Sequence, residues 1–222
     1  MDDFKGIFGV WKPKGPSSYD VIREIKKRTT EKRIGHAGTL DPKASGVLVI
    51  AVGREATKKL SEEVAKEKEY EATIRLGKES STDDSEGIKT EIHPIRRPSL
   101  KRIQDVLGEF EGDIMQVPPV YSAIKVSGER AYERTRAGER FELEARRVMV
   151  KKMELVSFRW PYLKIRVVTG PGVYIRSLAR DIGRKLDVGG YLSALMRTRV
   201  GNFTKKDALV IPVTFHTPRK RA

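Results

Sequence analysis

Residues 35–46 read Gly-His-Ala-Gly-Thr-Leu-Asp-Pro-Lys-Ala-Ser-Gly, and the apolar run Val-Leu-Val-Ile-Ala-Val follows at once over 47–52. Glycines at 35, 38 and 46 together with Pro42 favour a tightly shaped, irregular loop. The apolar run reads as a buried strand, which would hold that loop on a rigid base. Asp41 is the one carboxylate of the stretch. An acid on a shaped loop at a strand end is a catalytic placement. A plain turn aspartate before proline fits the same residues, and the stretch in isolation leaves both readings open.

The chain has 222 residues, enough for one large domain or two small ones, and one domain is the simplest reading. Cysteine is absent, which excludes disulfides and thiolate metal sites. His36, His93 and His216 are far apart and show no metal-ligand spacing. Neither a metal nor any other cofactor is expected. No apolar run approaches the roughly 20 residues of a membrane span, and the N-terminus Met-Asp-Asp-Phe-Lys lacks the regions of a signal peptide. A cytoplasmic protein without a membrane partner is therefore expected.

The formal net charge is +15 and the pI about 10. That balance favours a polyanionic partner, nucleic acid before membrane surface. A generally basic, heat-tolerant surface is the competing account. Basic residues cluster at 26–28 and 32–33, just before the Asp41 loop, at 146–147 and 151–152, and at 219–221. The cluster beside the loop is best placed to guide a phosphate backbone to it.

Periodicity gives a mixed set of elements. A short strand is expected over 6–10, then a turn. Ser17 should cap a helix with Asp20 as its capping-box partner, and Val21, Ile22 and Ile25 form one apolar face. Residues 54–65 read as helical. Over 69–76, Tyr70, Ala72, Ile74 and Leu76 alternate with polar residues, as in a half-buried strand. Residues 80–87 read as an acidic, serine-rich loop. Ser99 should cap a helix carrying Leu100, Ile103, Leu107 and Phe110. Residues 117–125 should be extended because of Pro118 and Pro119, followed by a short polar helix ending near Gly138. A hairpin is expected from 148–158 and 163–169, then a helix over about 174–186 with Ile175, Leu178, Ile182 and Leu186 on one face, and a helix or strand over 192–199. Strands and helices without βαβ regularity make the class α+β.

The segment Gly-His-Ala-Gly-Thr-Leu-Asp-Pro-Lys-Ala-Ser-Gly resembles the catalytic motif of the TruB-type pseudouridine synthases of bacteria, whose aspartate is the essential acid. Further segments resemble the same family in the same order. They are Lys12-Pro13 with Gly-Pro-Ser-Ser over 15–18, Lys-Glu-Tyr over 68–70, Val-Pro-Pro-Val-Tyr-Ser-Ala-Ile-Lys over 117–125, Gly-Val-Tyr-Ile-Arg-Ser-Leu over 172–178, and Leu195 within Tyr-Leu-Ser-Ala-Leu-Met-Arg over 191–197. The resemblance implies an α+β fold with a central, mostly antiparallel mixed sheet flanked by helices and an RNA-binding cleft. It implies a catalytic domain over 1–210 with an RNA-gripping insertion at about 117–145, and a short basic tail over 211–222. Two departures stand out. Bacterial members usually carry a further C-terminal RNA-binding module, whereas here a basic tail follows soon after Phe203, so RNA affinity is expected to be weaker or to rest on the basic surface. Met196 stands where many relatives have an arginine.

The implied reaction is the isomerisation of uridine 55 in the T loop of tRNA to pseudouridine by a stand-alone monomer with no obligate protein partner. It breaks N1–C1′, turns the base and joins C5 to C1′. It needs a carboxylate near the sugar as nucleophile or base, as in glycoside cleavage, and neither redox step nor metal. Asp41 is the candidate, and whether it attacks C1′ or removes a ribose proton is left open. The resemblance gives Arg176 the role of pairing with Asp41, Tyr70 that of lying against the uracil, and His36 that of packing where the uridine leaves the stack. Leu195 and Tyr174 would line the pocket, and Lys12 and Lys125 would contact substrate. By residue type alone, Tyr70 and Leu195 fit a core, Arg176 a surface or phosphate contact, and His36 a turn. Two rival functions remain: a guide-RNA-dependent, dyskerin-like synthase, and a non-catalytic tRNA chaperone.

Overall fold

The computed structural model describes residues 4–94, 96–122, 124–126, 129, 130, 134, 139, 141 and 143–213, with backbone alone at 125, 126 and 130. The chain divides into two compact units, Met1–Tyr70 with Leu195–Ala222, and Glu71–Ala194.

The first unit is built around β3 (Ser45–Val52). Strand β1 (Gly6–Lys12) lies antiparallel along one edge, from Gly6 opposite Val52 to Lys12 opposite Gly46. The other edge is shared. Strand β2 (Ile34–Ala37) pairs antiparallel with 49–52, and the end of β12 (Gly190–Val200) pairs parallel with Ser45 and Gly46. The short β13 (Phe203–Thr204) folds back on β12. The apolar run 47–52 is continuous because β3 is covered on both faces. Leu48, Ile50 and Val52 pack with Val21, Ile22 and Ile25 of α1 (Ser18–Lys26), while Val47 and Val49 pack with Ala37, Val200 and Phe203. Helix α1 starts where expected, with the reciprocal Ser17–Asp20 capping box. The helix expected over 54–65 is two pieces, α2 (Arg54–Lys58) and α3 (Leu60–Ala65), which meet at Lys59.

The second unit contains the rest of β4 (Lys68–Leu76), the hairpin β5 (Lys78–Ser80) and β6 (Lys89–Glu91), helix α4 (Leu100–Glu109), β7 (Gly112–Gln116), the small hairpin β8 (Lys125–Val126) and β9 (Glu129–Arg130), β10 (Arg146–Arg159), β11 (Tyr162–Thr169), α5 (Ile175–Lys185) and the start of β12. Its strands run in the order β12-β4-β11-β10-β7. β10 is antiparallel to both β11 and β7. Ile103, Val106 and Leu107 of α4 and Leu178, Ala179 and Ile182 of α5 are fully buried or nearly so, and α4 contacts both β10 and α5.

β4 alternates as its sequence predicts, with Tyr70, Ala72, Ile74 and Leu76 buried, and Lys68 joins them on that face. The hairpin of β10 and β11 and helix α5 also stand where expected. Of the helix or strand expected over 192–199, the strand forms, within β12. One expectation is corrected. Leu100 is 54% exposed, because the buried face of α4 is set by Ile103, Val106 and Leu107. Residues 117–122 have no regular structure. The polar helix expected to end near Gly138 and the tail from 214 onward lie outside the described residues. Among the described residues no helix is long and apolar enough to cross a membrane.

Candidate active site

In the first unit, β2 and β3 form a hairpin whose connection, 38–44, carries Asp41. This loop is held by its own backbone. The Asp41 carbonyl accepts the Ala44 N–H at 3.0 Å, closing a turn with Asp first and Pro second, the residues such a turn favours. The Ser18 hydroxyl accepts the Leu40 N–H at 2.9 Å and donates to the Leu40 carbonyl at 3.0 Å. The Pro42 carbonyl accepts the Gly15 N–H at 2.7 Å and the Lys12 ammonium at 3.5 Å. The Gly38 carbonyl accepts an Arg197 N–H at 3.0 Å. Arg197 Nε also donates to the Val47 carbonyl at 2.8 Å, so one guanidinium ties both ends of the loop. The carbonyls of 38, 40, 41 and 42 are all fixed, and half-buried Asp41 sits among them.

Three cations lie beneath this loop. Lys12 has no exposed surface, and its ammonium also donates to the carbonyls of Pro13 at 2.9 Å and Pro16 at 2.7 Å. Burial pulls its pKa down to about 8, with Asp41 opposing that shift and Arg197 adding to it. Lys68 donates to the carbonyls of Val64 and Lys66 at the end of α3, and burial and then Arg197 bring it to about 8 as well. Arg197 is 1% exposed. Next to them, half-buried His36 sits on β2 opposite Ile50. Burial and then Arg197 hold its pKa below the usual 6.5, so the imidazole is neutral at pH 7. Its Nδ1 is buried with no hydrogen-bond partner among the described residues.

Gly46 marks where β12 joins. Its φ is +129°, and a Cβ there would lie 2.2 Å from the Arg197 carbonyl oxygen, so only glycine lets β12 come so close. Leu195 is half-buried on the same strand, and Tyr70 is 7% exposed on β4.

In the second unit, the first turn of α5 gathers two segments. Tyr174 is its N-cap residue, and its backbone N–H and C=O both bond the side-chain amide of buried Gln116, at 2.8 and 3.2 Å. Arg176 pairs with Asp84 at 3.5 Å and donates to the Tyr121 carbonyl at 2.9 Å. One turn on, Arg180 pairs with Asp83 at 2.9 Å and donates to the Val117 carbonyl at 2.8 Å, which also accepts from Ser177 at 2.8 Å. The stretch 80–87, read from sequence as an acidic, serine-rich loop, is an ion-paired partner of α5.

The first unit thus holds Asp41, Lys12, His36, Tyr70 and Leu195, and the second holds Arg176, Tyr174 and Lys125, whose backbone lies in β8. Lys12, expected at the substrate, has its ammonium engaged by three backbone carbonyls. Sequence reasoning missed Ser18, Arg197, Asp83, Asp84 and Gln116. The Ser17-Ser18 pair at the start of α1 was a signal for Ser18, since only one serine can be the cap. A buried arginine on an irregularly alternating strand gives no such signal.

The family model "TruB family pseudouridylate synthase (N terminal domain)" matches residues 26–175, and "tRNA pseudouridylate synthase B C-terminal domain" matches 176–216. The tRNA pseudouridine synthase B of Thermobifida fusca is 45% identical over 93% of this chain and 73% of its own length. That of Corynebacterium aurimucosum is 46% identical over 91% of this chain and 69% of its own. Among solved structures, a Cbf5–Nop10–Gar1 complex matches with a TM-score of 0.71 and 32% identity over 93% of this chain. An H/ACA RNP bound to a substrate RNA containing 2′-deoxyuridine matches with a TM-score of 0.68 and 30% identity. The chain spans about half the length of those two solved chains.

Proposed function

The chain belongs to the TruB family of pseudouridylate synthases, and on that premise we propose that it converts a uridine of tRNA to pseudouridine, at position 55 of the T loop. The observation that carries the reading is the Asp41 loop. The carbonyls of 38, 40, 41 and 42 are all bonded, which fixes the backbone that presents the carboxylate, as covalent or general-base catalysis at a sugar carbon requires.

In the proposed reaction Asp41 acts at the ribose, either attacking C1′ or removing a ribose proton. The N1–C1′ bond breaks, the uracil turns within the site, C5 bonds to C1′, and the C5 proton is lost as N1 gains one. Atoms and charge balance without oxidant, reductant or metal. The Tyr70 ring lies against the uracil, with Leu195 and Tyr174 as walls. Arg176 pairs with Asp41, and Lys125 contacts RNA. The neutral His36 ring fills the gap a flipped uridine leaves, offsetting part of an extrusion cost of a few kcal/mol. Lys12 acts through the loop by holding the Pro42 carbonyl. The basic charge draws in the tRNA, so affinity should fall steeply with salt. The protein works as a cytoplasmic monomer without an obligate protein partner.

The test is tritium release from tRNA transcribed with 5-tritiated uridine, run with Asp41→Asn alongside and the product position mapped. One equivalent released at position 55 and lost in the variant supports the proposal. Full turnover by Asp41→Asn would refute the role of Asp41. The guide-dependent reading is second, because identity to the solved Cbf5-containing and H/ACA chains is 32% and 30%, against 45% and 46% to the tRNA enzymes. Release only after a guide RNA and partner proteins are added would favour it.

A further inference from the structure

The proposed reaction leaves the outer face of α1 unused. Tyr19, Arg23, Lys26 and Lys27 fall at the i, i+4, i+7, i+8 spacing that lines one side of a helix. The opposite side, Ser18, Val21, Ile22 and Ile25, is buried. Tyr19 is 65% exposed, a large amount for an aromatic ring. The Arg23 guanidinium stands 5.4 Å from its ring centroid and covers one face. The ion pairs on this helix point one way. Asp20 and Glu24 are buried, and their partners Arg23 and Lys27 reach outward, with Lys26 exposed beside them. Between residues 12 and 33 there are eight basic residues against three acids.

This face begins at the reactive loop. Tyr19 follows Ser18, whose hydroxyl bonds both polar backbone groups of Leu40, the residue before Asp41. Exposed Lys14 and Lys43 adjoin the Gly15–Pro42 backbone bond between the same two segments.

We propose that the Tyr19–Lys27 face of α1 is an RNA-docking surface, in which an unpaired base of the substrate RNA stacks on the open face of Tyr19 and its phosphates meet Arg23, Lys26 and Lys27. A planar ring held by a cation on one side and flanked by further cations is the arrangement that binds single-stranded nucleic acid without reading its sequence. The occupant is RNA because the acids here are covered and the exposed charge is positive. The proposal rests on the tRNA reading above.

The experiment compares Tyr19→Ala with the wild type and with Tyr162→Ala. Tyr162 is a matched control, 52% exposed with the Arg75 guanidinium 5.4 Å from its ring, on β11. Filter binding gives the tRNA Kd and tritium release gives kcat and KM. Tyr19→Ala should raise Kd and KM about tenfold, the scale of one lost stacking contact, with kcat at saturating tRNA within about twofold, while Tyr162→Ala leaves all three in place. Lys26→Ala with Lys27→Ala should lower the salt slope of binding by about 1.5. An unchanged Kd for Tyr19→Ala overturns the docking face, and so does an equal loss in Tyr162→Ala. A wild type that binds tRNA without turnover refutes the enzymatic reading and leaves the Kd comparison to decide the docking face. A wild type that binds no tRNA overturns both.

Discussion

The Ser18 hydroxyl bonds both the N–H and the C=O of Leu40, at 2.9 and 3.0 Å, and so fixes the peptide groups on either side of the residue preceding Asp41. One buried hydroxyl thereby joins the first turn of α1 to the loop that presents the carboxylate.

Ser18→Ala removes both bonds and leaves two buried backbone groups unsatisfied, at a cost of about 1–3 kcal/mol. In a chain of this length each kcal/mol lowers Tm by about 2–4 °C, so a drop of roughly 2–12 °C is expected in a circular-dichroism melt. A carboxylate displaced by about 1 Å loses on the order of a hundredfold in rate, so kcat should fall far more than tRNA affinity. A variant that melts early but keeps full kcat would show that Ser18 only stabilises the unit.

Gly46 and Gly108 should respond to alanine with opposite signs. At Gly46 the new Cβ would meet the Arg197 backbone at 2.2 Å with φ at +129°, and neither the parallel partner strand nor the dihedral can yield cheaply. A loss of several kcal/mol is expected, with failure to accumulate as soluble protein as the extreme form. At Gly108, inside α4, nothing lies within 4 Å. Alanine there should stabilise by about 0.5–1 kcal/mol. Urea denaturation of both variants checks the pair, and a tolerated Gly46→Ala would mean that β12 can move away from β3.

The same residues show what the sequence could and could not reveal. The capping box of α1 and the alternation of β4 were legible because each depends on neighbours two to four positions away. The Asp41 loop was legible because glycine and proline constrain a backbone locally. Lys68 broke the apolar side of the β4 pattern, since its ammonium is satisfied by carbonyls at the end of α3, a contact no periodicity encodes. Arg197 was hidden for the same reason, because its acceptors lie 150 and 159 residues away. The pairing of Asp83 and Asp84 could not be read from the acidic loop that carries them, because their partners are on α5. Long-range polar contacts, rather than the hydrophobic pattern, were what local reading lacked.

Lys12 and Lys68 should make stability rise with pH on the alkaline side. Both have folded pKa values of about 8, below the 10.5 of an exposed lysine. Between those values the unfolded chain holds more protons than the folded one, so raising pH favours folding, by at most about 1.4 kcal/mol per pH unit for each lysine. Below about pH 8 both are protonated in either state and the slope vanishes. Turnover should move the other way. A neutral Lys12 has two N–H groups for three carbonyls and no longer attracts Asp41. Urea midpoints and initial rates over pH 7–10 test the divergence, and Lys12→Met should flatten part of the stability slope. A wild-type midpoint independent of pH across that window would rule out depressed lysines.

Arg180 should be worth more to the second unit than an ordinary ion pair, because Asp83 cannot easily do without it. Burial pushes the Asp83 carboxyl above its usual pKa, and the Arg180 guanidinium at 2.9 Å opposes that push. Arg180→Met leaves the carboxylate buried and uncompensated, a loss of about 3–5 kcal/mol. Asp83→Asn in the Arg180→Met background removes the stranded charge and should recover a large part of the loss. Asparagine also tolerates the left-handed φ of 59° that Asp83 adopts. The penalty of the single variant should shrink as pH falls, since a carboxyl without its cation takes up a proton more readily. A double-mutant cycle by urea denaturation at pH 7 and pH 5 reads both effects. Additive losses at both pH values would mean that the two side chains do not depend on each other.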